Sequence, residues 1–168
     1  MTESIRPVVL DAGPLIHLDE LDALDLLDSF NDVIIPQIVW EEVTHHRPSI
    51  SLANRQTCSI HTVVYPASPT LRMLTGSFAL DAGEVAALAL AEMCKVPVFL
   101  TDDAAARVAG ESMGLSVHGT IGVVVRAIRT GQRTKEQVLQ MLRSIPEISS
   151  LHISRKLLDE VIETVSKG

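Results

Sequence analysis

The amino-acid sequence predicts an α/β protein of three layers, α/β/α, built on a central parallel sheet of about four to five short strands. Three observations carry that expectation. Short apolar runs rich in β-branched residues, VVL at 8–10 and VII at 33–35 among them, are bounded by Pro, Gly or acidic residues, as fits strands covered on both faces. These runs alternate with segments of helical period, which implies right-handed parallel crossovers. Aromatic residues make up 3% of the chain against 46% hydrophobic residues, so the core is aliphatic and lets helices lie close on a sheet. The 168 residues suit a single domain spanning 1–168, with 132–168 as a C-terminal helical extension.

The first strand, 8–10, ends on Asp11, and Pro14 then fits the first turn of a helix. Leu21, Leu24 and Leu27, with aspartates between them, predict an amphipathic helix over 18–30 with an acidic outer face. Pro36 stops the strand at 33–35 and opens a helix over 36–46. On that helix Glu42 shares a face with Ile38, whereas Glu41 points about 100° away. Between 47 and 77 the pattern is least informative: 49–57 is compatible with a helix, 60–64 with a short strand and 69–76 with a short helix. A helix rich in Ala and Leu follows over 80–95, opened by Asp81 and Glu84. Next come a strand at 97–100, a helix at 104–114 ended by Gly114, a strand at 115–119 and a helix at 120–131 ended by Gly131. A helix over 134–145, capped by Thr130 or Thr134, and an amphipathic helix over 154–165 complete the chain.

The net charge of −7 argues against a protein that wraps nucleic acid by overall electrostatics. Arg126, Arg129, Arg133, Lys135 and Arg143 nevertheless form a basic run, which reads as a solvated helical face or as an edge for a polyanion. Without a signal-peptide core or an apolar run of roughly 18 residues, the expected location is the cytoplasm, with no membrane span. Cys58 and Cys94 are accordingly expected to be reduced core thiols. The pair His45 and His46 and the Cys58–His61 spacing make no matched zinc set, and His17 and His118 read as structural histidines. No phosphate-cradling glycine loop or serine-nucleophile elbow is present to support nucleotide or serine-hydrolase chemistry.

The acidic residues point elsewhere. Two strands end in Asp: Asp11 after VVL, and Asp102 with Asp103 after VFLT. Parallel strands bring their carboxyl ends to one edge, where ligands of open α/β sheets bind. Asp81 and Glu84 open a helix that can start near that edge, and Glu42 lies on one that can lean over it. Clustered carboxylates repel one another unless a cation sits among them, and an all-oxygen set suits Mg²⁺ or Mn²⁺. Such an ion can activate water and clamp a phosphodiester, which suggests metal-assisted hydrolysis. The plainer readings are that Asp11 caps the next helix, that Asp81 and Glu84 form a capping box, that Thr101 or Asp102 caps the helix at Ala104, and that Glu42 is a surface residue of an amphipathic helix.

The ordered motifs VVLDAGPLIHL, VWEEV, LDAGEVAALALA, FLTDDAAARVA and VHGTIGVVVRA resemble the PIN domain over about residues 6–130, in the branch where a small residue and Pro-Leu-Ile follow the first Asp. The resemblance implies a Mg²⁺- or Mn²⁺-dependent ribonuclease, VapC-like, with RNA as substrate, an antitoxin as partner and a homodimer as a common assembly. Carried over by position, Asp11 matches the first metal-binding Asp, Glu42 the acid of the second helical region and Glu84 the third acid. The fourth falls on Asp103 when Thr101 is aligned, or on Asp102 as the closer continuation of the strand. The implied catalytic set is thus Asp11, Glu42, Glu84, Asp102 and Asp103, with Asp11, Glu84, Asp102 and Asp103 as metal ligands. Arg107, Arg126 and Arg129 would guide RNA phosphates. Gly13 replaces the Ser or Thr often found two places after the first Asp. The alternative is a catalytically inactive PIN-fold binding or regulatory module that keeps its acids as caps.

Overall fold

Val8, Val9 and Leu10 are completely buried, as a strand with helices on both faces requires. In the computed structural model, which describes residues 6–63 and 67–168, this strand, β1 (Val8–Leu10), is the middle of a five-stranded sheet. Its companions are β2 (Val33–Pro36), β3 (Cys58–His61), β4 (Val98–Leu100) and β5 (Ser116–His118), in the order β3-β2-β1-β4-β5. Every pairing is parallel, with Val9 opposite Ile34 on one side and Phe99 on the other. The three-layer α/β/α architecture is therefore present with its upper number of strands.

Eight α-helices surround the sheet among the described residues: α1 (Ala12–Glu20), α2 (Gln37–His46), α3 (Pro69–Phe78), α4 (Ala82–Met93), α5 (Ala104–Ser112), α6 (Thr120–Arg129), α7 (Lys135–Ile148) and α8 (Arg155–Lys167). Alternation along the strands assigns the layers. Val8, Leu10 and Leu100 join a core with Leu15, Val124 and Leu142, whereas Val9 and Phe99 face Leu88, Leu90 and Ala109. Gly110 permits the close seating of α5, since a Cβ there would lie 2.9 Å from Val117 and 3.0 Å from Phe99. None of these helices is long and apolar enough to cross a membrane.

Several local expectations change. The helix expected over 18–30 ends at Glu20, because Asp22 adopts φ 51°, a left-handed conformation that Asp tolerates better than most residues. A 3-10 turn at Leu24–Ser29 follows and buries Leu26 and Leu27. Residues 49–57 form turns rather than a helix, with Arg55 N–H donating to Leu52 and Cys58 N–H to Arg55. The strand expected at 60–64 overlaps β3 only at Ile60 and His61, since β3 begins at Cys58 and residues 62–63 are not in a strand; residue 64 lies outside the described residues. Helix α7 runs on through Pro146 to Ile148, three residues beyond expectation. Cys58 is only half-buried and Cys94 is exposed at the end of α4, so these free thiols are not core residues as expected.

The C-terminal helices belong to the main core. Val138, Leu142 and Ile145 of α7 and Leu158 and Val165 of α8 pack in the same cluster as Val8 and Leu10. Between them residues 149–153 pass the carboxyl edge of the sheet and are anchored by Glu20. Its Oε2 accepts from the Ser150 N–H at 2.7 Å and the Ser149 hydroxyl at 2.9 Å, and its Oε1 from the Ser150 hydroxyl at 2.8 Å. Burial tends to raise the Glu20 pKa, but these three donors outweigh it and the net shift is downward. Glu20→Gln replaces an acceptor oxygen by a donor, so amide exchange at 149–153 is expected to rise about tenfold while β1 stays protected. Equal exchange in the two proteins would show that Glu20 does not hold the segment.

Candidate active site

At the carboxyl ends of β1 and β4 the chain turns straight into helices, and each turn starts on an acid. Asp11 caps α1, its Oδ1 accepting from the Ala12 N–H at 2.8 Å. Its Oδ2 accepts from the Thr101 hydroxyl at 3.0 Å, and Thr101 is fully buried. The same hydroxyl accepts from the Asp103 N–H at 3.1 Å, so Thr101 ties the two strand ends together. Asp103 then caps α5 through Ala106 N–H at 2.8 Å. Asp81 and Glu84 form a reciprocal capping box on α4, with N–H to carboxylate distances of 2.8 and 2.9 Å. The cap readings of Asp11, Asp81 and Glu84 are thus correct, whereas the helix at Ala104 is capped by Asp103 rather than by Thr101 or Asp102 as expected.

Capping does not exhaust them. Each carboxylate can accept about four hydrogen bonds. Among the described residues, Asp81, Glu84 and Asp103 use one oxygen each, leaving a second for a ligand. Asp11 and Glu84 are each only 7% exposed. Burial is the main reason that Asp11 is raised to about 6 and Glu84 to about 7, with Asp81 adding repulsion to both. Glu42 and Asp103 extend that mutual repulsion, Glu42 acting on Asp11 and Asp103 on Glu84. Glu42 itself is exposed and is raised by partial burial and by Asp81. Its carboxylate reaches α4 because residue 83 is Gly, where a Cβ would lie 3.3 Å from Glu42 Oε2 and 3.4 Å from Asp81 Oδ1.

Asp102 is built differently from its neighbour. Its Oδ1 accepts from Thr120 N–H at 2.8 Å, and its Oδ2 from the Thr120 hydroxyl at 2.6 Å and His17 Nδ1 at 2.8 Å. Burial raises its pKa, but the His17 and Thr120 hydrogen bonds prevail and the net shift is downward. Asp102 therefore stays ionised as the bridge between α1 and α6. The structural reading of His17 fits this bond, although His17 also lines the acidic pocket. Gly119 is required for the same bridge: a Cβ would fall 2.6 Å from Asp102 Oδ1. Gly119→Ala is expected to cost about 1–3 kcal/mol in denaturant unfolding, and a native-like midpoint would contradict the clash.

One pocket joins most of the expected acids: Asp11, Glu42, Asp102 and Asp103 line it, together with Asp81 and His17. Glu84 joins through its coupling to Asp11 and Asp103 rather than as part of the lining. A family model described as a PIN domain matches residues 7–167. The chain belongs to the PIN domain family. No curated protein matches it.

PIN domains are generally metal-dependent nucleases, so this one can be tested for fit to a divalent ion. The donor chemistry fits: the acids offer oxygen only, and two of them, Asp11 and Glu84, are buried with their carboxyls pushed upward. Among the described residues no three His, Cys, Asp or Glu side chains form a ready-made ion-holding group.

None of the arginines expected to guide RNA is among the described residues lining the acidic pocket, although Arg107 shares a neighbouring hollow with Asp102. Arg107 donates to the Val117 carbonyl at 3.2 Å, beside Gly119. Arg126 bonds the Ser29 hydroxyl and lies 4.5 Å over the Phe30 ring, and Arg129 shares a cavity with it away from the acidic pocket. Arg133 makes a forked pair with Asp25, both bonds at 2.8 Å, so the basic run is not simply a solvated face. The family match also includes α7 and α8, and Ser150, Leu151 and His152 line the pocket. No periodicity in the sequence marks this connecting segment as part of a site.

Proposed function

We propose that this PIN domain is a Mg²⁺- or Mn²⁺-dependent endoribonuclease acting in the cytoplasm, and the toxin of a pair held in check by an antitoxin. The carrying observation is the burial of Asp11 and Glu84 beside further acids at the carboxyl edge of the sheet, where both carboxyls are pushed upward. Asp11, Glu84 and Asp103 would hold the ion, with Asp102 fixing the surrounding wall through Thr120 and His17. When bound, the ion supplies positive charge to the phosphodiester and makes water a better nucleophile. Glu42, exposed at the rim with its carboxyl raised by partial burial and by Asp81, would take the proton of an attacking water. The toxin assignment rests on the VapC-like first motif, and an antitoxin segment carrying Arg would suit the acidic pocket.

The discriminating experiment compares single-stranded RNA, DNA and a phosphomonoester with Mn²⁺ and with EDTA. Internal cleavage of RNA alone, abolished by EDTA, is the expected result. The observation that four acids serve as helix caps favours the second reading, an inactive binding module. That module would neither cut any substrate nor bind Mn²⁺ in calorimetry. For the toxin reading, induced expression should arrest growth with the native chain but not with Asp11→Asn.

A further inference from the structure

We propose that His17 Nε2 hydrogen-bonds a ribose 2′-hydroxyl of RNA in the acidic pocket and is the contact by which this site tells RNA from DNA; the proposal rests on the nuclease reading above. His17 Nδ1 meets Asp102 Oδ2 at 2.8 Å, and the two side chains are only 12% and 13% exposed. Asp102 also accepts from the N–H and the hydroxyl of Thr120 and stays ionised. An ionised carboxylate only accepts, so Nδ1 carries the hydrogen, and the bond fixes the ring and its tautomer. Among the described residues the Thr57 hydroxyl is the one buried side-chain nitrogen or oxygen without a partner. His17 Nε2 makes no hydrogen bond among them either, so it is not buried: it reaches solvent, and the hollow its ring lines is the acidic pocket. Gly13 keeps that edge of the ring open. A Cβ there would already touch Asp102 Oδ2 at 3.4 Å and His17 Cε1 at 3.7 Å.

What Nε2 can bond identifies its partner. With the Nδ1 hydrogen given to Asp102, Nε2 offers a lone pair in the neutral ring and an N–H in the protonated one. A hydroxyl donates and accepts, so it suits both forms, whereas a phosphate oxygen suits only the second. The 2′-hydroxyl is such a group, present on every RNA nucleotide and absent from DNA. The other polar side chains of the pocket are engaged or loose. In the nuclease reading Asp11 and Asp103 belong to the ion and Glu42 to the attacking water, and both Asp102 oxygens are taken by Thr120 and His17. The Ser150 hydroxyl donates to Glu20, and His152 is exposed with no hydrogen bond among the described residues to hold its ring. A deoxyribose would set a C–H against Nε2, at the cost of one hydrogen bond.

The test is a cycle between His17 and the sugar. In Mn²⁺, kcat/KM is measured for a single-stranded RNA decamer and for a set of decamers each carrying one 2′-deoxy nucleotide, one for every position. His17→Asn keeps an amide N–H for Asp102 in the place of Nδ1 and has nothing at the position of Nε2. For the native chain one of the deoxy substitutions is expected to cost about tenfold; for His17→Asn the same substitution should cost less than about twofold, and the all-ribose decamer should be cut about tenfold more slowly. His17→Gln, which returns a hydrogen-bonding group near the Nε2 position, should recover part of the discrimination. The comparison is made within each protein, so partial unfolding of a variant lowers all its rates together and leaves their ratio intact. A ring that only bridges α1 to Asp102, or only orients water, would slow every substrate alike. That result, or a native chain that cuts RNA but is indifferent to every deoxy substitution, overturns the proposal and leaves the nuclease reading standing. A native chain that does not cut RNA overturns both.

Discussion

Asp11→Asn is expected to cut RNA about a thousandfold more slowly than the native chain, yet to resist unfolding better when no metal is present. The loss of rate follows from removing a buried oxygen ligand, with several kcal/mol of transition-state charge stabilisation at stake. The gain in stability follows from the Asp11 carboxyl, raised from 3.8 to about 6 in the folded chain, mainly by burial. A raised acid stabilises the fold fully only below its unfolded value, and that contribution is lost as pH rises through the folded value. At pH 8 ionised Asp11 therefore opposes folding by up to about 3 kcal/mol, a penalty that Asn lacks while keeping an oxygen for the Ala12 N–H. Denaturant titrations of the two proteins should differ most above pH 7 and converge near pH 4. Added Mn²⁺ should stabilise the native chain and leave the variant unchanged. A variant weaker than the native chain at pH 8 would show that Asp11 serves chiefly as a cap.

Asp102→Ala and Asp103→Ala should separate two adjacent acids by opposite signatures. Asp102→Ala strands the Thr120 N–H and hydroxyl together with His17 Nδ1, and Thr120 is fully buried. Leaving such donors without an acceptor is expected to cost about 3 kcal/mol. Asp103→Ala removes an exposed N-cap and should cost about 1 kcal/mol. Mn²⁺ affinity should respond in the reverse order, falling at least about tenfold for Asp103→Ala because Asp103 is the member that couples to Glu84. Calorimetry on both variants, alongside their unfolding curves, decides the ligand. Tighter binding dependence on Asp102 would reverse the assignment.

The ambiguity between these two residues shows where the sequence stops being legible. A hydrophobic strand ending on Asp is visible as a pattern, and Asp11, Asp102 and Asp103 do meet at one sheet edge. Which oxygen is already bonded depends on Thr120 and His17, residues distant in the chain, and no local spacing encodes that. The same limit explains Asp81: its capping-box spacing with Glu84 is readable, but its repulsion of Asp11 and Glu42 requires α4 to lie against α2. The helix predicted across 18–30 fails for a local reason, since Leu21, Leu24 and Leu27 keep helical spacing while Asp22 turns left-handed between them. Arg126 and Arg129 are visible in the sequence as part of a basic run, but their position beside Arg6 comes from tertiary packing.

The order of the elements also sets a timetable for synthesis. Strand β1 leaves the ribosome first yet occupies the centre of the sheet, and its neighbour β4 follows about ninety residues later. The segment 149–153 that walls the pocket, and the α8 residues Leu158 and Val165 that close the core above β1, come later still. With translation at about 5–20 residues per second, the acids spend several seconds on a nascent chain before their surroundings are complete. A partner that captures the chain during this interval would meet an open carboxyl edge, before the Glu20 clamp on Ser149 and Ser150 has formed.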